Sequence, residues 1–217
     1  MIPVYVGFDP RETCGFHVFC NSVLSRTNAR VSFHPVRGGR VEGSTTFNPE
    51  RFNVARECGY RGWAIWAECD MMLRADIEEL MDYADPSYDV LVVKHDYKTK
   101  FRVKFLGQNN PDYPRKNWSS MMLINCGAAV WQRIAESSLQ DLHRFKPMRD
   151  ERIGSLPLEW NWLVSEYPYN PKAKLAHFTI GIPPFYPACD YSSEWFNEMR
   201  AAVSHEHWDD TVLESER

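Results

Sequence analysis

Two carboxylates one residue apart, Glu68 and Asp70, are the strongest chemical signal in the sequence. They follow the apolar run 63–67, which predicts a strand buried on both faces. Acidic side chains at positions i and i+2 at a strand end point the same way, so each can give an oxygen to one hard divalent cation. The spacing permits a metal site that can also receive a diphosphate. Acidic pairs at strand ends are common, however, so spacing alone favours a loop that merely holds two acids.

A histidine within an apolar segment is the second candidate ligand. His177 lies in the run 175–179, which is followed by glycine and prolines. A neutral imidazole can complete a ligand set with two carboxylates, and it favours manganese over magnesium. The alternative is a core histidine with structural partners only. His205 and His207, near the acidic end of the chain, are expected to be solvated.

Other polar residues stand at the ends of predicted elements. Asp9 follows the first predicted strand, where it can accept a hydrogen bond from a nucleobase or cap the next helix. Asn125 ends a later strand and can contact a donor sugar or cap the helix that follows. Glu159 and Asn161 alternate with two tryptophans and can bond sugar hydroxyls, although the indoles are expected in the core.

A basic segment spans residues 98–116. It carries six cations against the single acid Asp112; the cations are Lys98, Lys100, Arg102, Lys104, Arg115 and Lys116. Such a segment can bind an anionic acceptor or a lipid headgroup, and the alternative is a solvated loop. The glycine-rich stretch 38–44 is expected to be mobile.

Short apolar runs alternate with helical segments along the chain. The predicted strands are 4–8, 31–36, 63–67, 90–93, 121–125 and 175–179. The predicted helices are 12–24, 49–57, 75–83, 128–145, 158–164 and 193–203. This alternation predicts an α/β fold with a mostly parallel central sheet and helices on both faces. Ligands bind beyond the carboxyl ends of the strands in such sheets, which is where the candidate residues stand.

Size and composition narrow the function further. The 217 residues predict one domain, 1–203, followed by an acidic tail, 204–217. The net charge of −4 argues against a general nucleic-acid binder.

An apolar window of about 18 residues is missing, so no transmembrane segment is expected. The beginning of the chain does not read as a secretory signal and the cysteines form no C-x-x-C pair, so a cytoplasmic location with reduced thiols is expected. Fingerprints of dinucleotide-binding proteins, P-loop NTPases, zinc proteases and α/β-hydrolases are also missing.

Five segments taken in order resemble a known enzyme family. They are residues 4–9, 62–71, 117–125, 156–161 and 177–179. Together they look like a small bacterial or phage-borne glycosyltransferase similar to glycosyltransferase family 8. The resemblance implies the GT-A fold of the nucleotide-diphospho-sugar transferases. It also implies metal-dependent transfer of a sugar from a nucleotide-sugar donor, most often a UDP-sugar, to a carbohydrate, glycolipid or other hydroxyl acceptor, with retention of anomeric configuration.

The resemblance assigns a role to each candidate residue. Mn²⁺ (or Mg²⁺) is held by Glu68, Asp70 and His177, which match the family's acid-x-acid motif and its late histidine. The nucleotide is contacted by Phe8, Asp9 and an upstream arginine, for which Arg51 is the first choice and Arg56 the alternative. Lys104, Lys116 or Arg115 of the basic segment can take the place of the family's lysine at the diphosphate, and Asn125, Glu159 and Asn161 face the donor sugar.

Two departures from the family pattern keep other functions open. The first acid of the motif is Glu68 rather than aspartate, and the stretch 182–184 lacks the lysine that the family carries shortly after its histidine. A catalytically weak sugar-nucleotide-binding or lectin-like module is therefore the main alternative. A nucleotidyltransferase is less favoured, because Asp9 and Pro10 follow the first strand where that class has a glycine-rich signature.

Overall fold

A computed structural model of the protein describes residues 1–38, 45 and 47–203. Its strands are β1 (Ile2–Gly7), β2 (Val31–Val36), β3 (Trp63–Ala67), β4 (Met71–Leu73), β5 (Val90–Val92), β6 (Val103–Lys104), β7 (Gln108–Asn109), β8 (Met121–Asn125), β9 (Ile153–Ser155), β10 (Trp162–Leu163) and β11 (Leu175–His177). Its α-helices are α1 (Thr13–Leu24), α2 (Val54–Glu57), α3 (Leu139–His143) and α4 (Ser192–Val203). The predicted tail 204–217, with its two histidines, and most of the glycine-rich stretch lie outside the described residues.

Six strands form a central sheet in the order β2-β1-β3-β8-β5-β9. Strand β1 runs parallel to β2 and β3, and β5 runs parallel to β9. Strand β8 lies antiparallel between β3 and β5. The predicted α/β fold with a mostly parallel sheet is confirmed. The interior strands are almost wholly buried, as their continuous apolar runs predict.

A second, three-stranded sheet is separate from the central one and has the strand order β10-β11-β4. The turn 68–70 joins β3 of the central sheet to β4 of the second sheet. Strand β11 pairs antiparallel with β4, and His177 lies opposite Met71 in that register. The amide of Phe178 also donates to the backbone oxygen of Asp70 at 2.9 Å. This pairing brings residues from two distant parts of the chain to one place.

Several predicted helices are shorter than their sequence pattern suggests. The predicted helix 128–145 is broken into two 3-10 turns and α3, and Ser137 between them has extended backbone angles. Ser138 then caps α3 by accepting from the amide of Asp141 at 3.2 Å. The prediction of a helix over 158–164 is wrong at its second half. A 3-10 turn covers Leu158–Asn161, and the next two residues form β10 because β11 offers them a parallel partner.

Two buried apolar clusters stabilise the fold. The larger one surrounds the central sheet, and the smaller one packs α4 and α1 against the second sheet through Val18, Met72, Phe178 and Trp195. Among the described residues, no helix has the length and apolar composition needed to cross a membrane. Helix α1 packs directly against β4, so it supports the turn between the two sheets.

Gly15 allows this close approach. A Cβ atom built on Gly15 would lie 2.6 Å from the backbone oxygen of Cys69, well inside contact distance. The obstacle is backbone, so a side chain cannot simply rotate away. Cys69 stands between the two carboxylates of the turn, and the position of the turn therefore depends on glycine at this point of α1.

We expect Gly15→Ala to lower the free energy of unfolding by about 1–3 kcal/mol, the usual cost of forcing an extra methyl group into a packed site. Helix propensity alone would make Gly15→Ala stabilising, by up to about 1 kcal/mol. A loss of stability would therefore show that the close contact with Cys69 outweighs propensity. Urea denaturation measures it. The matched control is Gly127→Ala, whose Cβ would have its nearest neighbour at 3.6 Å. A Gly15→Ala protein as stable as the parent would contradict the close-packing argument.

Candidate active site

Glu68, Asp70 and His177 meet where the two sheets join. The imidazole Nε2 lies 3.3 Å from Glu68 Oε2 and 3.5 Å from Asp70 Oδ1. The three possible ligand atoms all lie within 4.8 Å of one another. Asp70 Oδ1 is buried and has no hydrogen-bond partner among the described residues. The two sequence signals therefore converge on one cluster, as a shared metal site requires.

The hydrogen-bond network behind His177 determines which nitrogen faces the carboxylates. Ser120 Oγ donates to the backbone oxygen of Asn117 at 2.7 Å, so it accepts from Asn161 Nδ2 at 2.8 Å. Asn161 Oδ1 is then left facing His177 Nδ1, 2.8 Å away. An amide oxygen can only accept, so Nδ1 carries the hydrogen. In the neutral ring, Nε2 consequently points its lone pair at the two carboxylates.

A lone pair and two carboxylates in one buried space need a cation between them. Without a metal, that cation is a proton. Burial lowers the pKa of His177, but the charges of Asp70 and Glu68 outweigh burial and raise it to about 9. With a metal, two oxygens and one imidazole nitrogen form a ligand set that suits Mn²⁺, since imidazole binds it more readily than Mg²⁺. The residues present thus fit a divalent cation.

Arg51 holds the other oxygen of Glu68. Its guanidinium is buried and donates to Glu68 Oε1 at 2.6 Å and to the backbone oxygens of Ser119 and Asn48 at 2.9 and 3.0 Å. Burial opposes ionisation of Glu68, but Arg51 and then His177 outweigh it and hold the pKa of Glu68 below its usual range. The alternative arginine, Arg56, is exposed and pairs with its neighbour Glu57.

Glu12 is a buried carboxylic acid behind the cluster that sequence reasoning missed. Its Oε1 is buried without a hydrogen-bond partner in the described part of the chain. Burial, followed by the charges of Asp70, Asp9 and Glu68, raises its pKa to about 9. Glu12 therefore carries a proton at neutral pH. Its position near a predicted helix start offered no signal of burial in the sequence.

The cluster opens into a polar cavity of about 730 Å³. Of the predicted site residues, the cavity wall includes Arg51, Glu68, Asp70, Lys104, Lys116 and His177. It also includes residues that the sequence did not single out, among them Asn48, Asn110, Tyr113, Ser119 and His143. Burial lowers the pKa of His143 to about 3, so its imidazole is neutral and can exchange a hydrogen bond with Ser119 Oγ.

The two predicted lysines differ in their surroundings. Lys116 is buried, and its ammonium donates to Asn110 Oδ1 and to the backbone oxygen of Pro111, each at 2.8 Å. The oxygens of Asn110 and Pro111 already bind this ammonium, so Lys116 holds the segment in place instead of facing a ligand. Lys104 stands in the cavity wall, where its charge contributes to the low pKa of Glu68. Lys104 is therefore the better placed of the two to meet an anionic ligand.

Asn125 lies at the opposite end of the strands from the cluster. Strand β8 is antiparallel to β3, and Asn125 pairs with Trp63, the first residue of β3, whereas Glu68 follows the last. Its amide donates to the backbone oxygen of Tyr88 at 3.0 Å. The expectation that Asn125 faces the donor sugar is corrected, because it assumed that β8 runs parallel to its neighbours.

Glu159 and Asn161 are also placed differently from the expectation. Glu159 lies in the 3-10 turn before β10, where its backbone oxygen accepts from Lys174, at the end of β11 remote from His177. Asn161 is fully buried behind His177, so it positions the imidazole and does not touch the cavity. Tertiary contacts cause this difference, because Asn161 donates hydrogen bonds to Ser120 and Asn117 in the segment before β8.

Asp9 and Phe8 lie beside the cluster, where Asp9 bonds Arg11 in the turn before α1 and Phe8 packs on α1 itself. Asp9 is fully buried, accepts from the amide of Arg11 at 3.0 Å, and bonds the Arg11 guanidinium at 2.9 and 2.6 Å. The capping alternative for Asp9 is therefore present in the structure. Phe8 packs edge-to-face on Phe16 with ring centroids 5.5 Å apart. A nucleobase contact at these two residues stays a prediction.

Solved structures with the same architecture are glycosyltransferases of the GT-A fold. WbbM, a bifunctional glycosyltransferase, aligns over 91% of this chain with a TM-score of 0.67 and 14% identity. The chain spans about half of WbbM, 49% of its length. The galactosyltransferase LgtC, solved with donor and acceptor sugar analogues, aligns over 94% of this chain and 97% of its own with a TM-score of 0.64 and 11% identity. GlyE of Streptococcus pneumoniae aligns over all of this chain and 63% of its own, with a TM-score of 0.64 and 12% identity.

The fold is therefore the GT-A fold. Sequence comparison adds a relative: Protein CDI of Arabidopsis thaliana is 35% identical over 221 residues, covering 90% of this chain and 85% of that protein. The chain belongs to the same family as Protein CDI. No family profile matches the sequence.

In metal-free protein, the proton on His177 makes stability depend on pH. The folded pKa of about 9 is above the ordinary value of 6.5, so this stabilisation is complete below about pH 6.5 and is lost as the pH rises through about 9. Its full size is at most about 3 kcal/mol. Urea unfolding in EDTA should show it. Glu12 acts in the same direction, so the comparison is with His177→Gln, which we expect to flatten the curve over this range. Parallel curves for the two proteins would contradict the assignment.

Asn161 should control the affinity for a divalent cation without contacting it. We expect Asn161→Leu to weaken Mn²⁺ binding about 10–100-fold, the usual effect of losing the partner of a ligating histidine. Calorimetric titration measures the affinity. Asn125→Leu is the control, since Asn125 lies at the far edge of the sheet and should leave the affinity unchanged. Equal effects of the two substitutions would show that Asn161 does not act through His177.

Proposed function

We propose that this protein is a metal-dependent glycosyltransferase. It transfers a sugar from a nucleotide-diphosphate sugar, with a UDP-sugar as first choice, to a hydroxyl of a carbohydrate or glycolipid, with retention of configuration. The observation that carries the proposal is the meeting of Glu68, Asp70 and His177 in a large polar cavity of a GT-A fold. Membership of family 8 and a cytoplasmic location are part of the same proposal.

Glu68, Asp70 and His177 would hold Mn²⁺ or Mg²⁺. A divalent cation bound there supplies Lewis-acid stabilisation of the departing diphosphate. Arg51 keeps Glu68 ionised and occupies its Oε1, which leaves Oε2 for the cation. Asn161 keeps the Nε2 lone pair of His177 directed at the same point. Two of the three protein ligands, Glu68 and His177, are therefore oriented before the cation binds.

The cationic groups of the cavity wall bind the negative charge of the donor. Lys104 offers its ammonium where charge grows on the diphosphate, and preorganised donors of this kind stabilise a transition state strongly. Lys116 acts by fixing Asn110 and the loop around it. Asn117 and Ser119, in the segment before β8, line the cavity wall, and we assign to them the donor-sugar contact that was predicted for Asn125.

A retaining transfer in this cavity needs little help from a protein nucleophile. In a front-face reaction the acceptor hydroxyl attacks on the side from which the diphosphate leaves. Glu159 is not among the residues of the cavity wall, and its backbone oxygen accepts from the amide of Lys174, so we assign it no nucleophilic role. Asp70 and Glu68 are committed to the cation. The chain therefore acts mainly by binding and orienting the two substrates.

A sugar-nucleotide-binding module without turnover is the second candidate function. Glu68 is one methylene longer than the aspartate of the family motif, and Ile182 and Pro183, buried, stand where the family carries a lysine. Slow hydrolysis of the donor in the absence of acceptor separates the two candidates. A transferase releases free sugar and nucleoside diphosphate, whereas a binding module leaves the donor intact.

The proposed site is tested by thermal shift with UDP and GDP, each with and without Mn²⁺. We expect a rise in Tm with UDP and Mn²⁺ together, because a ligand that binds only the folded state stabilises it. Asp70→Ala should abolish the shift, and Glu68→Asp should keep it and keep or raise transfer. The matched control is Asp82→Ala, an exposed acid remote from the cluster. No shift with either nucleotide, or an unchanged shift in Asp70→Ala, would contradict the proposal.

A further inference from the structure

Exposed apolar side chains gather at the rim of the cavity. Of the large apolar residues that the described chain exposes, Phe101, Val103, Leu106 and Phe185 belong to this one region, with exposures of 38%, 51%, 54% and 37%. Phe101 and Phe185 line the same second cavity, and the ring of Phe105 lies 6.0 Å from that of Phe185. A cluster of this kind marks an interaction surface more often than chance exposure does.

Cations alternate with these apolar residues along the chain. Lys98, Lys100 and Arg102 are all exposed and flank Phe101. We name the surface formed by these cations with Phe101, Val103, Leu106 and Phe185 the rim surface. It offers positive charge and apolar groups side by side, so it is complementary to a partner that carries negative charge next to an apolar interior.

The rim surface is built on a rigid backbone. Asn110 Nδ2 donates to the backbone oxygen of Phe101 at 2.8 Å, and the Asn110 amide donates to that of Arg102 at 2.9 Å. Lys116 in turn holds Asn110 from below at 2.8 Å. The amide of Phe105 donates to the backbone oxygen of Ile180 at 2.7 Å. These hydrogen bonds hold the backbone from which the exposed apolar and basic side chains extend.

A second cavity of about 340 Å³ opens on the same face. Its wall is mostly apolar and aromatic and includes Phe178, Ile180, Phe185 and Tyr186. Thr179, between two of these residues, lines the polar cavity instead. One backbone segment therefore separates a polar cavity, which holds the candidate metal ligands, from an apolar one beside the basic rim.

From these contacts we infer that the rim surface binds the surface of a lipid bilayer that contains anionic lipid. Cations next to such a surface and aromatic groups at the headgroup boundary both contribute to binding. A second copy of this chain fits less well, because a two-fold contact would place like charges opposite one another. Binding itself does not depend on the proposed function. If that function holds as well, the metal cavity lies at the bilayer, where a glycolipid acceptor is presented.

The test is sedimentation of the full chain with vesicles of phosphatidylcholine, alone or mixed with phosphatidylglycerol. We expect binding to the mixed vesicles that weakens as salt is added, since salt screens exposed charges. Lys98→Gln, Lys100→Gln and Arg102→Gln combined should weaken binding on the order of 100-fold, at about fivefold for each cation. Phe101→Ser with Leu106→Ser should weaken binding at every salt concentration.

Two control variants match these changes elsewhere on the molecule. Leu24→Ser removes an exposed leucine at the far end of α1, and Lys172→Gln removes an exposed cation before β11, at the end remote from the cavity. Both should bind as the parent does, and melting temperatures show whether each variant is folded. Three results would overturn the inference: no binding to mixed vesicles, rim variants that bind like the controls, or self-association without vesicles that the rim variants abolish. None of these measurements uses a sugar nucleotide, so they leave the proposed function untouched.

Discussion

Mutual repulsion among two carboxylates and an imidazole lone pair is the constraint on which the site depends. Glu68, Asp70 and His177 lie within 4.8 Å of one another in a largely buried place, where such charges interact strongly. A proton or a metal ion must therefore sit among them. Arg51 offsets part of the charge of Glu68 from the side, and Glu12 behind the cluster responds by keeping its own proton.

The fold satisfies this constraint by joining two sheets at one turn. Residues 68–70 leave β3 and enter β4, and β11 pairs with β4 in a register that sets His177 beside them. Gly15 lets α1 support the turn from below. Asn161, anchored on the segment before β8, sets the ring orientation of His177. Each of these contacts joins residues far apart in sequence, so the geometry of the site is a property of the whole domain.

The polar cavity and the rim surface are linked through one segment of chain. Residues 98–116 contribute Lys104 to the cavity wall and Phe101 to the apolar neighbour, while Lys116 holds Asn110 beneath both. The cations of this segment therefore have different roles. Lys116 and Arg115 make internal hydrogen bonds, Lys104 faces the cavity, and Lys98, Lys100 and Arg102 are exposed to solvent. Composition alone does not distinguish these fates, because burial depends on how the segment packs.

Local patterns were sufficient for six of the eleven described strands and for the α/β class, but they did not predict β4, β6, β7, β9 or β10. Apolar runs such as 63–67 and 121–125 predict buried strands, since only a central sheet buries both of their faces. Helix predictions failed where tertiary partners overrode periodicity: Trp162 and Leu163 pair with β11 instead of continuing a helix. The predicted helix 128–145 is interrupted at Ser137 and Ser138, where the Ser138 hydroxyl caps the start of α3.

What the sequence by itself determined is the kind of ligands available, since residue type and short-range spacing fix which oxygens and nitrogens can face one way. The three predicted metal ligands, Glu68, Asp70 and His177, lie within 4.8 Å of one another. Their role as ligands and the predicted nucleotide contact of Arg51 stay predictions. Only the tertiary structure decided which other polar residues join them. Because β8 is antiparallel to β3, Asn125 lies at the opposite end of the strands from the cluster. Asn161 was predicted to contact the sugar, but it is buried and orients His177 instead. Direction and register depend on long-range pairing, which no local pattern specifies.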